Sequence, residues 1–145
     1  MTATTRTLHA TPEQVWEVLA DGWLYPLWVV GASRMREVDS DWPRVGSRIH
    51  HSVGVWPLLI DDNTEITDAQ PLRKLSLRAK AWPLLGEADV TLELSEQGAG
   101  TRVVMSEDAA TGPGKLVPKP ARAPGIIWRN TESLRRLAFL AERRP

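Results

Sequence analysis

The chain has 145 residues, 42% of them hydrophobic and 25% charged, the size and balance of one globular domain with a sizeable core spanning 1–145. Lys plus Arg and Asp plus Glu each number 18, so no net charge and no basic block exists to draw the chain onto nucleic acid or an anionic membrane surface. Cysteine is absent, which excludes disulfides, thiolate metal sites and a cysteine nucleophile, and fits a reducing cytosol.

Met1 to His9 is polar and lacks the apolar stretch of a signal peptide, and no run approaches the roughly 18 apolar residues of a membrane span. A cytoplasmic protein is expected. Ala3 to His9 reads as a first strand. Thr11 as N-cap, Pro12 at N1 and Gln14 at N3 make a capping-box signature for a helix through about Ala20, with Val15, Val18 and Leu19 as its buried stripe. Asp21-Gly22 ends it, and Trp23 to Val30, broken by Pro26, predicts a second helix of one or two turns before a turn at Gly31.

From Ser33 the period changes to two. Arg34 to Asp39 is a strand, Trp42 to Gly46 a turn, and Ser47 to Trp56 the next strand, with Ile49, His51, Val53 and Val55 alternating against His50, Ser52, Gly54 and Trp56. Leu58 to Asp68 follows, then a turn at Gln70-Pro71. Leu75, Leu77, Ala79 and Ala81 mark one face of the next strand, and Pro83 to Gly86 turns the chain. Ala88, Val90, Leu92 and Leu94 alternate with Glu87, Asp89, Thr91 and Glu93, the pattern of a half-buried strand. After the turn Gln97 to Gly100, Thr101 to Asp108 carries Val103 and Met105 in phase. About seven strands, five of them closely consecutive, predict an antiparallel meander. Ala109 to Pro120 is too rich in Gly and Pro for regular structure and reads as a loop.

The last element is a long helix, roughly Ala123 to Arg143. At 100° per residue, Ile126, Ile127, Asn130, Thr131, Leu134, Leu137, Ala138 and Ala141 share an arc, and Arg129, Glu132, Arg135, Arg136 and Glu142 lie on the far side. Asn130 and Thr131 are polar groups on the buried arc, each costing about 1–3 kcal/mol if left without a partner. A helix laid over a curved sheet with such groups inward suggests a cavity. The aromatic skew, seven Trp against one Phe and one Tyr, suits either an amphipathic pocket lining or ordinary core filling. Trp128 and Phe139 fall together away from the inner arc, where they either pack beneath the N-terminal helices or, if exposed, mark a self-association surface.

Few motifs carry chemistry. His51 shares its strand face with apolar neighbours, so in that register its imidazole points inward for hydrogen bonding or acid–base work; in the alternative register His50 is the inward residue. The adjacent pair is no metal site, because neighbouring strand residues point to opposite faces. Glu107 continues the phase of Val103 and Met105 and is a candidate inward acid–base, though the rarity of buried Glu favours a solvated position at a fraying strand end. Asp61-Asp62-Asn63 lacks the Gly and distant Glu of a calcium loop, and Gly112-Pro113-Gly114 lacks the spacing of a phosphate loop. No nucleophile elbow, zinc motif or dinucleotide fingerprint occurs, so neither metal nor cofactor is expected.

Thr11 to Trp16, Tyr25-Pro26-Leu27-Trp28, Gly46, Gly100-Thr101, Arg129-Asn130 and Glu132 to Leu137, taken in the order of elements in which they occur, resemble the START-like helix-grip superfamily over essentially the whole chain. The closer likeness is to its bacterial polyketide cyclase/dehydrase and lipid-transport branch. The resemblance implies an α+β helix-grip fold, a curved antiparallel sheet of about seven strands wrapped round a long C-terminal helix, with a hydrophobic cavity between them. It implies little about chemistry, since members include lipid carriers, aromatase/cyclases, hormone receptors and co-chaperones. The leading expectation is a non-enzymatic binder or carrier of a small hydrophobic molecule, monomeric or homodimeric, lined by Tyr25, Trp28, His51, Met105, Ile127, Asn130 and Leu134. The alternatives are a polyketide cyclase or dehydratase in which His51, Glu107 and Asn130 promote aldol condensation or dehydration, and a stress-response adaptor or co-chaperone acting through its outer face.

Overall fold

The computed structural model describes residues 2–29, 32–53, 60–81, 86–109 and 119–144, with side chains at 2–29, 37–50, 63–79, 87–108 and 124–144. The chain opens with β1 (Thr2–Leu8), α1 (Pro12–Ala20), a 3-10 turn (Gly22–Leu24) and α2 (Tyr25–Trp28). Then come β2 (Ala32–Val38), β3 (Arg48–Val53), β4 (Ile60–Gln70), β5 (Lys74–Ala81), β6 (Gly86–Gln97) and β7 (Gly100–Ala109). The last element is α3 (Lys119–Ala141).

Among the described residues the strands form one antiparallel sheet in the order β1-β7-β6-β5-β4-β3-β2. The later six are therefore the expected meander, and β1 closes onto the last of them. Register shifts at Ala32/Arg34 and Met35/Glu37 in β2 and at Ile66/Asp68 in β4 bend the sheet. Across its inner face lies α3, packed on β1 and β7 and flanked by α1 and α2. This is the α+β helix-grip architecture.

Local chemistry explains the joints. The Thr11 hydroxyl accepts from Gln14 N–H at 3.2 Å and the Gln14 carboxamide accepts from Thr11 N–H at 2.8 Å, a complete capping box. The same Gln14 side chain donates to the Arg144 carbonyl at 2.7 Å, tying α1 to the end of α3. At the start of β7, a Cβ on Gly100 would fall on the Leu8 carbonyl oxygen, so the approach of β1 to β7 needs glycine there. Thr101 next to it donates its hydroxyl to the Ala10 carbonyl at 2.7 Å in the buried interior. Gly46 holds φ of 90°, the left-handed turn that delivers β3.

Strand ends shift by one or two residues, and the boundaries on either side of the expected Gly/Pro loop differ more tellingly. Ala109 belongs to β7, and α3 starts at Lys119 rather than near Ala123. Pro120 lies in the first turn, where its missing N–H has no helical acceptor to lose, so a proline placed there does not oppose the helix. The expected loop core at 110–118 and the hairpin tips containing Val55, Trp56 and Pro83 lie outside the described residues.

Candidate functional site

Tyr25 and Trp28 come from α2, a single turn that follows a 3-10 turn capped by Asp21, whose carboxylate accepts from Trp23 N–H at 3.1 Å. Being three residues apart, they share one side of the turn, with ring centroids 5.6 Å apart at 73°, an edge-to-face contact. Both are buried, while Trp23 and Leu27 on the other side are exposed. The Tyr25 hydroxyl lies 3.4 Å from the Thr64 hydroxyl of β4. Burial pushes the Tyr25 phenol above its ordinary pKa, opposed by the Thr64 hydrogen bond; the Glu107 charge raises it further and the Arg129 charge lowers it. The group is thus a neutral phenol over the physiological range.

Along β7 the buried positions Thr101, Val103, Met105 and Glu107 repeat every second residue. Glu107 is 6% exposed and stands opposite Val90 in β6 and Thr2 in β1. The expectation that it faces water at a frayed end fails because β7 remains paired on both sides at this level. Its carboxylate is met by the Arg129 guanidinium, reaching down from α3. Arg129 was expected on the far side of the helix; its side chain is 37% exposed, and the long stem carries the charge round the helix edge to Glu107.

The buried stripe of α3 runs Asn130, Ser133, Leu134, Leu137, Ala138, Ala141. It is turned slightly from the expected arc: Thr131 is exposed, Ile127 is 45% exposed, and Ser133 takes a place inside. Asn130 is 1% exposed, and among the described residues neither its carboxamide nitrogen nor its oxygen has a hydrogen-bond partner. The same holds for the Trp28 indole N–H and the Thr4 hydroxyl. Each such group would cost about 1–3 kcal/mol if it stayed unbonded.

Of the residues expected to line the cavity, Tyr25, Trp28, Met105, Leu134 and Asn130 are buried, the first four in one core cluster, and Ile127 is not. The His51 side chain lies outside the described residues, as do those of Asp61 and Asp62 and the Gly112–Gly114 segment. His50 is half-buried beside Asp39, with Nε2 3.1 Å from the carboxylate. That contact and the Arg48 N–H, which donates to Asp39 at 2.9 Å, hold the Asp39 carboxyl below its usual range. Sequence reasoning missed Thr64, whose signal was its phase with Ile66 in β4, and it left Arg129 outside the site. Among the described residues no cluster of three His, Asp or Glu is placed to hold a metal ion, and no helix is long and apolar enough to cross a membrane. Trp128 and Phe139 are exposed rather than packed under the N-terminal helices, with the Arg143 guanidinium 3.5 Å over the Phe139 ring. A separate groove of about 740 Å³ runs beside the β4–β5 turn, lined by Leu72, Arg73, Lys74, Glu93 and Arg102 among others, and contains none of the candidate residues.

Residues 2–142 match the family model described as polyketide cyclase / dehydrase and lipid transport. A solved structure from Rhodobacter sphaeroides is similar at 26% identity and a TM-score of 0.71, covering 99% of this chain and 93% of that one. Protein NE0264 from Nitrosomonas europaea is similar at 19% identity and a TM-score of 0.72, over 97% and 92% of the two chains. The di-domain ARO/CYC StfQ from the steffimycin biosynthetic pathway is similar at 12% identity and a TM-score of 0.72, over 97% of this chain and 49% of that one. At 19% and 12% identity the likeness is one of fold. No curated protein sequence matches the chain.

Proposed function

The chain belongs to the polyketide cyclase/dehydrase and lipid transport family, and from that premise we propose that it binds or carries a small, largely apolar molecule between the sheet and α3, with the Asn130 carboxamide as its polar anchor. The observation that carries this reading is Asn130 itself, 1% exposed with a donor and an acceptor both unmet among the described residues. A fold retains such a group at this cost when something else bonds it. Tyr25, Trp28, Met105 and Leu134 supply the apolar surface around it, with Ile127 at the exposed edge, and few polar groups fix an orientation, so affinity is expected to be micromolar or weaker.

Titration of intrinsic Trp fluorescence with a panel of aromatic and acyl probes tests the proposal; saturable quenching is expected, and its absence throughout the panel, with the fold intact, overturns it. Asn130→Leu keeps a similar volume and removes the polar group. It should leave the protein folded and weaken binding by about 1–3 kcal/mol. Unaltered affinity removes Asn130 from the site.

A second reading, an aromatase/cyclase-type enzyme, is favoured by one feature: a neutral phenol at Tyr25 within electrostatic reach of the Glu107–Arg129 pair. The phenol can protonate a carbonyl oxygen while a carboxylate accepts a proton from carbon. StfQ, similar in fold, is described as an ARO/CYC protein. Cyclisation of a poly-β-keto thioester mimic that Tyr25→Phe abolishes supports this reading, and an unchanged product distribution with and without the protein removes it.

A further inference from the structure

The charges around the proposed site restrict what it accepts. Among the described residues Glu107 is the one buried ionisable acid or base apart from the Tyr25 phenol. Its charge is met by Arg129, and that guanidinium is the cation which an incoming carboxylate would otherwise find. Among the described residues the other buried polar side chains are neutral; of these the Asn130 carboxamide offers an unmet donor and acceptor, and the Trp28 indole an unmet donor. An anionic headgroup would enter beside a buried carboxylate, with no buried cation among the described residues to receive it. A hydroxyl or ketone would satisfy the unmet amide and indole groups without bringing charge inside.

We infer that the site selects neutral oxygen-bearing molecules, apolar alcohols, phenols or ketones, over carboxylate amphiphiles, and that the Glu107–Arg129 pair is the specificity determinant that excludes the anion. This rests on the binding proposed above. It also predicts its own reversal. Removing the Glu107 charge leaves Arg129 without its partner, at the edge of the same interior, as a ready acceptor of carboxylate.

The experiment uses two pairs matched in carbon skeleton, 2-naphthalenemethanol with 2-naphthoate and 1-decanol with decanoate, titrated calorimetrically at neutral pH into the wild-type protein and into Glu107→Gln. In the wild type the neutral member of each pair should bind at least tenfold more tightly than its anion. Glu107→Gln should tighten the anion at least tenfold relative to its neutral partner. Equal or tighter binding of the anions by the wild type overturns the selection while leaving the binding proposal standing. Unchanged anion affinity in a folded Glu107→Gln removes the pair as its cause. Failure of all four probes to bind overturns the underlying proposal together with this one. Should Glu107→Gln not fold, the wild-type comparison decides the selection by itself.

Discussion

Glu107 and Arg129 are partners with unequal stakes. The carboxylate side chain is 8% exposed and the guanidinium side chain 37%. Removing the arginine leaves a charge buried in low dielectric with nothing opposite, whereas removing the carboxylate leaves a cation that water already reaches. Arg129→Met should therefore destabilise toward the lower part of the about 3–5 kcal/mol typical of a broken buried pair, since partial hydration of Arg129 weakens the native interaction. Glu107→Gln should cost clearly less, and the double variant should recover most of the Arg129→Met loss. Urea midpoints of the three variants check the ordering, and a Glu107→Gln cost equal to that of Arg129→Met would show that the pair acts through packing instead of charge.

At the level of elements, α1 is held by its cap and by its tether to α3, and Gln14 serves both. Thr11→Ala removes the hydroxyl that accepts from Gln14 N–H, while Gln14→Ala removes the bond to Thr11 N–H and the donation to the Arg144 carbonyl. With each bond contributing about 0.5–1.5 kcal/mol, Gln14→Ala should be the more destabilising. It should also raise amide exchange in the last turn of α3, which Thr11→Ala leaves protected. Equal exchange in both variants would detach the tether from stability. The capping box was legible because its bonds join residues three apart, and the strands of the meander because alternation is local. The bond from Gln14 to Arg144 spans |i−j| of 130 and left no mark in the pattern. The same distinction applies in the site: Asn130 was readable from the helix wheel, but Thr131 and Ile127 were misplaced by a small rotation that only packing against β1 and α2 sets. Arg129 was misread because a wheel records where a Cα lies and not where a long side chain ends.

For the molecule as a whole, equal numbers of acidic and basic residues mean that acidification gives a net positive charge, and the groups that resist it are carboxylates held by cations. Glu132 is the clearest case. Hydrogen bonds from Arg135 first and Arg136 second, at 2.7 to 3.1 Å, lower its pKa from 4.5 to about 2. Because the folded value lies below the unfolded one, the contribution is complete above about 4.5, falls as pH drops because the unfolded chain takes up the proton first, and is gone near 2. Asp39 shifts in the same direction through His50 and the Arg48 N–H and adds to the same acid limb. The group is solvent-facing and salt screens it, so the effect should be modest and should shrink at high ionic strength. Glu132→Gln should be less stable than the wild type at neutral pH and converge with it as pH falls from 4.5 toward 2. Urea midpoints taken across that range at low and high salt measure the convergence, and parallel profiles for the two proteins down to the acid end would mean that the Arg135 and Arg136 contacts do not persist in solution.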